Sequence, residues 1–206
     1  MITILDFGLG NVSAFTGLFD RLGVRCAAAK CPSEIVPGSN LILPGVGAFD
    51  MAMERLEKSG LAEALKAAVT QTGTPILGVC VGMQVLFEGS DEGNCAGLGL
   101  LPGRVVHMGE DCQGASLCLP HLGWNTISIR KSHPVVQGLD DAEFYFLHSY
   151  RARPARADDV IAGTSYGCEF PSIVGRGPVI GVQCHPEKSH ESGIRLLQNF
   201  AGMSSA

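Results

Sequence analysis

Short apolar runs alternate with amphipathic stretches along the first half of the chain. Mostly apolar runs occupy 2–5, 24–28, 41–43 and 75–78, whereas 12–22 and 50–70 carry apolar residues at helical spacing. Continuous apolar strands joined by helices are typical of a parallel sheet that is buried on both faces. The pattern therefore predicts an α/β fold with a mostly parallel central sheet covered by helices on both faces.

The second half has a different pattern. From about residue 98, short extended runs are separated by turns, which indicates an added antiparallel layer or an extended sheet edge. These runs are 104–107, 125–130, 143–147, 160–162, 172–174 and 179–183, and an amphipathic helix follows at 189–200. Because no linker interrupts the pattern, we expect one domain over residues 1–206.

Composition excludes several classes of protein. A hydrophobic content of 46% with 17% charged residues suits a globular core rather than a disordered chain. The net charge of −5 and the scattered basic residues predict no nucleic-acid partner. No apolar run reaches membrane-spanning length, so we predict no membrane association. The N-terminus lacks a basic region and a cleavage site, which favours a cytoplasmic protein.

Eight cysteines raise the question of a metal or disulfide framework. They lie at positions 26, 31, 80, 95, 112, 118, 168 and 184, and none forms a C-x-x-C pair. Such spacing is poor for a zinc site, so no metal and no cofactor is predicted. In a cytoplasmic protein the thiols are expected to be reduced.

One cysteine stands in a pattern with chemical meaning. Residues 78–82 read Gly-Val-Cys-Val-Gly after an apolar strand and before helical spacing at 83–87. This is the glycine-flanked elbow that presents a nucleophile between a strand and a helix, with Cys80 in the nucleophile's place. A β-carbon at Gly78 or Gly82 would collide with a neighbouring element, and a helix N-terminus would favour the thiolate. Taken alone, the pentapeptide fits a small buried cysteine equally well.

A candidate base stands near the C-terminus. His185 and Glu187 follow an apolar strand, and in an extended segment their side chains would face the same side. A cysteine nucleophile needs a base and a group that orients it, so we predict a Cys80–His185–Glu187 triad. Acyl transfer also needs donors for an oxyanion, which we expect from the backbone N–H groups of Val46 and Val81.

Three segments together resemble the class I, or triad, glutamine amidotransferases. The segments are 78–84 (GVCVGMQ), 44–49 (PGVGAF) and 185–189 (HPEKS). Within that family the resemblance narrows to the glutaminase subunits of imidazole glycerol phosphate synthase. It does so through 6–11 (DFGLGN), 101–105 (LPGRV), 120–125 (PHLGWN) and 145–150 (YFLHSY). It covers almost the whole chain in the right order.

The resemblance implies roles for matching residues. Cys80 would attack the carboxamide of glutamine, His185 would shuttle protons and Glu187 would orient His185. A glutamine pocket is implied at Gly47, Gln84, Glu92, Tyr145, His148 and Ser149. The family also implies a heterodimer partner, a (β/α)8 cyclase (HisF-like) that receives the ammonia through a tunnel. The segments of Asn11, Trp124 and Lys188 would face that partner.

Several alternatives stay open at this point. The opening DFGLGN varies from the family's usual DYGMGN, and similar variants occur in paralogues that supply ammonia for amidination of bacterial surface sugars. Cys184 stands where the family usually has phenylalanine, and in an extended segment it would point into the core. A non-catalytic binding module and a stand-alone hydrolase with the same elbow are the other possibilities.

Overall fold

The computed structural model describes residues 1–109 and 117–203. The strands in these ranges are β1 (Ile2–Leu5), β2 (Cys26–Ala29), β3 (Asn40–Gly45), β4 (Ile76–Cys80), β5 (Gly103–His107), β6 (His121–Thr126), β7 (Ser128–Ile129), β8 (Glu143–His148), β9 (Tyr150–Pro154), β10 (Val160–Tyr166), β11 (Cys168–Arg176) and β12 (Val179–Val182). The helices are α1 (Val12–Arg21), α2 (Phe49–Lys58), α3 (Leu61–Thr72), α4 (Val81–Gln84) and α5 (His190–Ala201).

A central sheet has the strand order β2-β1-β3-β4-β12-β11-β10-β7. The first five strands in this order run parallel, and the last three extend the sheet in antiparallel pairs. Every residue of β1, β3, β4 and β12 is buried, which requires cover on both faces of the sheet. The predicted α/β fold with a mostly parallel sheet and antiparallel additions is confirmed.

Two further pairs of strands lie outside the central sheet, β5 with β9 and β6 with β8. In the β6–β8 ribbon, Leu122 pairs with Leu147 and Trp124 pairs with Tyr145. These four side chains share one face, because alternate residues of a strand point the same way. The opposite face buries Phe146 and other residues of the ribbon. The ribbon therefore exposes large apolar side chains on one face and packs its other face into the protein.

The predicted strand at 125–130 is wrong in its bounds, and β9 was not predicted. Pairing in the ribbon starts at His121, and Gly123 adopts a φ of +132° that only glycine takes easily. Beyond the ribbon, the buried Ile127 separates β6 from β7. The sequence Tyr-Arg-Ala-Arg-Pro of β9 carries no apolar run, so periodicity gives no strand signal there.

The expected helix through 83–87 is also corrected. Helix α4 ends at Gln84, and the next three residues give their carbonyl groups to the chain at 98–101. Leu98 N donates to Val85 O, and Gly99 N donates to Phe87 O. Since those carbonyls are taken by another segment, the helix does not continue. A single helical turn contributes less dipole at Cys80 than the longer helix expected from the sequence.

One cysteine is not the reduced thiol that was expected. Cys168 is disulfide-bonded, whereas cysteines 26, 31, 80, 95, 118 and 184 are free. Cys112 lies outside the described residues. Cys184 is fully buried, as predicted, and burial raises its thiol pKa well above the ordinary value. Across 1–109 and 117–203, no helix has the length and apolar character needed to cross a membrane.

Candidate active site

Cys80 occupies a strained turn between β4 and α4. Its φ of 56° and ψ of −113° lie in a region that side-chain-bearing residues rarely adopt. A β-carbon on Gly78 would overlap the carbonyl of Gly82, and one on Gly82 would overlap the carbonyl of Leu43. The predicted need for both glycines is confirmed. The surrounding backbone holds Cys80 in this conformation and presents its thiol beyond the end of the strand.

His185 reaches the same place because its strand is the neighbour of β4. Strands β12 and β4 run parallel, with Val182 opposite Val79, so the residues that follow both strands meet at one edge. His185 Nδ1 lies 2.8 Å from Glu187 Oε1, and both side chains are 4% exposed. Residues 186–188 form a 3-10 turn rather than the extended segment that was expected. The two side chains nevertheless make contact.

The charge state of His185 depends on both neighbours. Burial alone would lower the pKa of this imidazole, but the hydrogen bonds with Cys80 and Glu187 raise it to about 10. Since Nδ1 of His185 is hydrogen-bonded to Glu187, the ring nitrogen that can interact with Cys80 is Nε2. A protonated imidazole at this position stabilises a thiolate, which is the nucleophilic form of cysteine.

A cavity of about 300 Å³ opens at this edge of the sheet. It brings together ten residues predicted from the sequence, namely Val46, Gly47, Cys80, Val81, Gln84, Glu92, His148, Ser149, His185 and Lys188. It is also lined by Pro120, Leu147 and Tyr150, which were not predicted. Glu187 lies behind His185. The predicted pocket residue Tyr145 does not line the cavity.

Two cavity residues are fixed by backbone contacts. Glu92 Oε2 accepts a hydrogen bond of 2.9 Å from the backbone N–H of Phe49, at the first residue of α2. Gln84 Nε2 donates to Tyr150 O at 3.3 Å and to Gln183 Oε1 at 3.2 Å. These bonds use both hydrogens of the Gln84 amide, so its oxygen is the atom available to a ligand.

Beside the cavity, the exposed face of the β6–β8 ribbon holds a cluster of large side chains. Trp124 packs edge-on to Tyr145 and stacks on His190, and Lys188 Nζ lies 5.6 Å above the Tyr145 ring. Leu122 and Leu147 are 61% and 39% exposed. The family resemblance implies that Trp124 and Lys188 face a partner, whereas the two leucines were not predicted. The alternation of residues in the ribbon, once its register is known, identifies them.

The buried face of the same ribbon carries a pair of histidines that sequence analysis did not connect. His121 Nδ1 lies 3.1 Å from His148 Nε2, and His148 Nδ1 lies 2.8 Å from Tyr150 O. A carbonyl only accepts, so His148 Nδ1 carries a proton and the neutral ring accepts at Nε2 from His121. Asn125 Nδ2 lies 3.3 Å from His121 Nε2 and completes the chain. Burial is the main cause that lowers the pKa of His121 to about 4 and that of His148 to about 3.

These two histidines make the stability of the protein depend on pH. A histidine that is neutral when folded stabilises the fold above its ordinary pKa of about 6.5, and this stabilisation is lost as the pH falls towards 3–4. Each can contribute a slope of up to about 1.4 kcal/mol per pH unit. In His121→Phe, which can keep the ring stacking, we expect a shallower fall in the free energy of unfolding. Urea titrations between pH 4 and 7 measure this, and equal slopes in both proteins would contradict it.

Comparison with known proteins places the chain in a family. The family model described as "Glutamine amidotransferase class-I" matches residues 3–202. A protein of Bdellovibrio bacteriovorus named imidazole glycerol phosphate synthase subunit HisH is 45% identical over 202 residues, covering 98% of this chain and 99% of that protein. A HisH of Salinibacter ruber is 43% identical and covers 98% and 94%.

Solved structures show the same fold. A putative GMP synthase protein from Thermoplasma acidophilum superposes with a TM-score of 0.71 at 21% identity, covering 98% of this chain and 92% of that chain. A structure described as glutamine amidotransferase has a TM-score of 0.73 at 19% identity, covering 98% and 99%. At these identities the similarity concerns the fold alone.

Proposed function

The chain belongs to the class-I glutamine amidotransferase family, and we propose that it is the glutaminase subunit of an imidazole glycerol phosphate synthase. It hydrolyses glutamine to glutamate and ammonia, and it passes the ammonia to a cyclase subunit for histidine biosynthesis. The observation that carries this proposal is the buried contact of His185 with Glu187 at the cavity that holds Cys80. The relatives named HisH, similar over nearly the whole chain, supply the acceptor pathway.

The chemistry follows from the triad. The Cys80 thiolate attacks the side-chain carbonyl carbon of glutamine, while His185 Nε2–H gives its proton to the leaving nitrogen. The carbon–nitrogen bond breaks, ammonia leaves, and a glutamyl thioester remains on the sulfur. His185 then takes a proton from water, which attacks the thioester and releases glutamate. Glu187 keeps the imidazole oriented through both steps.

The remaining cavity residues orient the substrate. We assign the oxyanion to backbone N–H groups of Val46 and Val81, which flank Cys80 in the cavity lining. Gly47 has a φ of +92°, so the loop that carries Val46 uses a conformation that favours glycine. Gln84 Oε1 and the Glu92 carboxylate are acceptors suited to the α-ammonium group of glutamine, with Gly47, His148 and Ser149 around them. Tyr145 acts through the ribbon surface instead.

The partner surface borders the mouth of the cavity. Leu122, Trp124 and Leu147 present exposed apolar area on the ribbon, and Leu147 also lines the cavity. Asn11 caps α1 by accepting from Ala14 N, and its neighbour Gly10 packs closely on Pro44 at the end of β3. We assign this edge to the (β/α)8 cyclase subunit. A partner seated there receives ammonia before water protonates it, and protonated ammonia is no longer a nucleophile.

We expect Leu122→Glu to weaken binding of the cyclase subunit by about 30-fold or more. An exposed leucine at the centre of an apolar interface becomes a desolvated charge, which costs about 2 kcal/mol or more. The chain should fold normally because Leu122 is exposed. Titration calorimetry with the cyclase subunit measures the affinity. Gln71→Glu adds the same charge near the end of α3, at the opposite edge of the sheet, and should leave binding unchanged.

Glutamate release from glutamine tests the proposed function. It is measured for the chain alone, with the cyclase subunit, and with the cyclase subunit plus its nucleotide ligand. A large rise that requires the histidine-pathway cyclase is expected. A rise only with a sugar-amidination partner would move the chain to that pathway, which the HisH relatives do not favour. Equal rates with and without a partner would indicate a stand-alone hydrolase.

A further inference from the structure

The buried side-chain amide of Gln183 lies against the sulfur of Cys80. Gln183 Nε2 is 3.8 Å from Cys80 Sγ, within the range of hydrogen bonds to sulfur. Gln183 directly follows β12, the neighbour of β4, and its side chain is completely buried. A buried polar side chain needs partners, and here one of those partners is the reacting atom itself.

A fixed chain of hydrogen bonds determines which end of this amide faces the sulfur. Tyr150 O can only accept, so the atom of Gln84 that contacts it at 3.3 Å is the amide nitrogen. The same nitrogen contacts Gln183 at 3.2 Å, so the atom of Gln183 at that contact is the oxygen. The Gln183 nitrogen is therefore left to point at Cys80.

The same hydrogen-bond network includes residues of the β6–β8 ribbon. His148 Nδ1 donates to the same carbonyl, Tyr150 O, at 2.8 Å. His148 in turn accepts from His121 on β6. The orientation of Gln183 is thus set by Gln84 Nε2, whose own orientation is fixed by the carbonyl of Tyr150. Rotation of the Gln183 amide would place its oxygen against the sulfur and two nitrogens against each other.

The thiol and thiolate forms of Cys80 have different hydrogen-bond partners. The thiol S–H has an acceptor in Leu147 O at 3.9 Å. A thiolate only accepts, so its partners are the donors Gln183 Nε2 and the imidazole of His185. A donor that contacts the charged form favours that form.

Other ionisable groups surround the sulfur at greater remove. Glu187 contacts His185, Cys184 precedes it in the core, and His148, Glu92 and Lys188 line the cavity. Within the described part of the chain, Gln183 Nε2 makes the side-chain hydrogen bond to the sulfur, and the interaction of His185 with Cys80 is one of the causes that raise the pKa of that imidazole.

We infer that Gln183 donates a hydrogen bond to the Cys80 thiolate and stabilises the nucleophile of the proposed glutaminase, with its amide oriented by Gln84. Gln183 touches the reacting sulfur and is in this sense a catalytic residue. Gln84 acts on the sulfur through Gln183, in addition to the role of its oxygen in the cavity. The inference rests on the proposed function, because a stabilised thiolate serves glutamine hydrolysis. The contacts from which it is argued are those around Cys80 and do not involve glutamine.

The test is the pH profile of Cys80 alkylation by iodoacetamide in the full chain, measured by mass spectrometry of the Cys80 peptide. Gln183→Met keeps the length of the side chain and removes the donor. We expect the apparent pKa for alkylation to rise by about one unit, which lowers the rate about tenfold on the acidic limb. Gln183→Leu also removes the donor and should raise the apparent pKa by a similar amount. Gln84→Met frees the Gln183 amide to rotate and should give a smaller rise.

Thermal unfolding of each variant separates this role from a structural one. A purely structural Gln183 would lower the melting temperature in Gln183→Met and leave the alkylation profile in place, and that result overturns the inference. If Gln183→Met does not fold, an unshifted profile in Gln183→Leu overturns it equally. The assay needs neither glutamine nor a partner. A shifted profile in a chain that never hydrolyses glutamine would uphold this inference and reject the proposed function.

Discussion

Replacing Cys80 by alanine is expected to lower glutamate release by at least about 10⁴-fold in the presence of the cyclase subunit. The loss is large because, among the described residues, Cys80 is the one cysteine in the cavity lining, and removing one member of a triad disables the whole unit. Cys80 is 4% exposed and has a strained backbone, so alanine, which is smaller, fits the elbow without collision. The free energy of unfolding should change little in comparison with the activity.

The measurement is the rate of glutamate formation with the cyclase subunit and its nucleotide ligand at saturating glutamine. Cys118→Ala provides the matched control, because Cys118 is a free and exposed cysteine away from the cavity lining. It should retain the full rate. Substantial turnover by Cys80→Ala would reject the triad, and with it the assignment of His185 and Glu187.

Gly82→Ala is expected to lower the free energy of unfolding by about 3 kcal/mol or more and to abolish glutaminase activity. The added β-carbon would overlap the carbonyl of Leu43 and press on the backbone of Pro44. Overpacking in a core costs about 1–3 kcal/mol when side chains can move aside. Here the obstacle is the backbone of β3, which the sheet holds in place, so the cost should reach or exceed the upper end. If β3 moved to relieve this overlap, it would displace the loop that carries Val46.

Urea unfolding followed by circular dichroism measures this change, and glutamate release measures its effect on activity. Gly17→Ala is the matched control, because a β-carbon at Gly17 meets nothing within 4 Å and the residue lies inside α1. It should stabilise the chain by up to about 1 kcal/mol, since alanine favours a helix more than glycine does. A Gly82→Ala protein as stable as the wild type would show that β3 can move away from the elbow.

The parallel half of the fold could be predicted because its signals are local. Buried parallel strands such as β1, β3 and β4 appear as short apolar runs, and Gly60, with a φ of +75°, breaks the predicted helix at the right place. The antiparallel half was predicted less well. Strand β9 contains two arginines and a proline, and it is stabilised by pairing with β5, a contact that no local pattern contains.

Some residues of the site could be predicted from the sequence, whereas others could not. Cys80, His185 and Glu187 stand in short motifs whose chemistry can be read from residue type and spacing. Gln183 stands beside one of those motifs, but its contact with the sulfur depends on the parallel pairing of β12 and β4. Tyr145 belongs to a segment expected to line the cavity, yet its side chain packs against Trp124 on the outer face of the ribbon and lies under Lys188.

Residue order alone was enough to specify the elbow and its glycines, the parallel sheet and the three candidate triad residues. Each of these depends on backbone conformation or apolar periodicity over a few residues. The end of α4 at Gln84, the two faces of the β6–β8 ribbon and the hydrogen-bond chain from His121 to Cys80 became evident only in the folded chain. These features arise from groups distant in sequence that compete for the same carbonyls and donors. Their outcome depends on which segments the fold brings together.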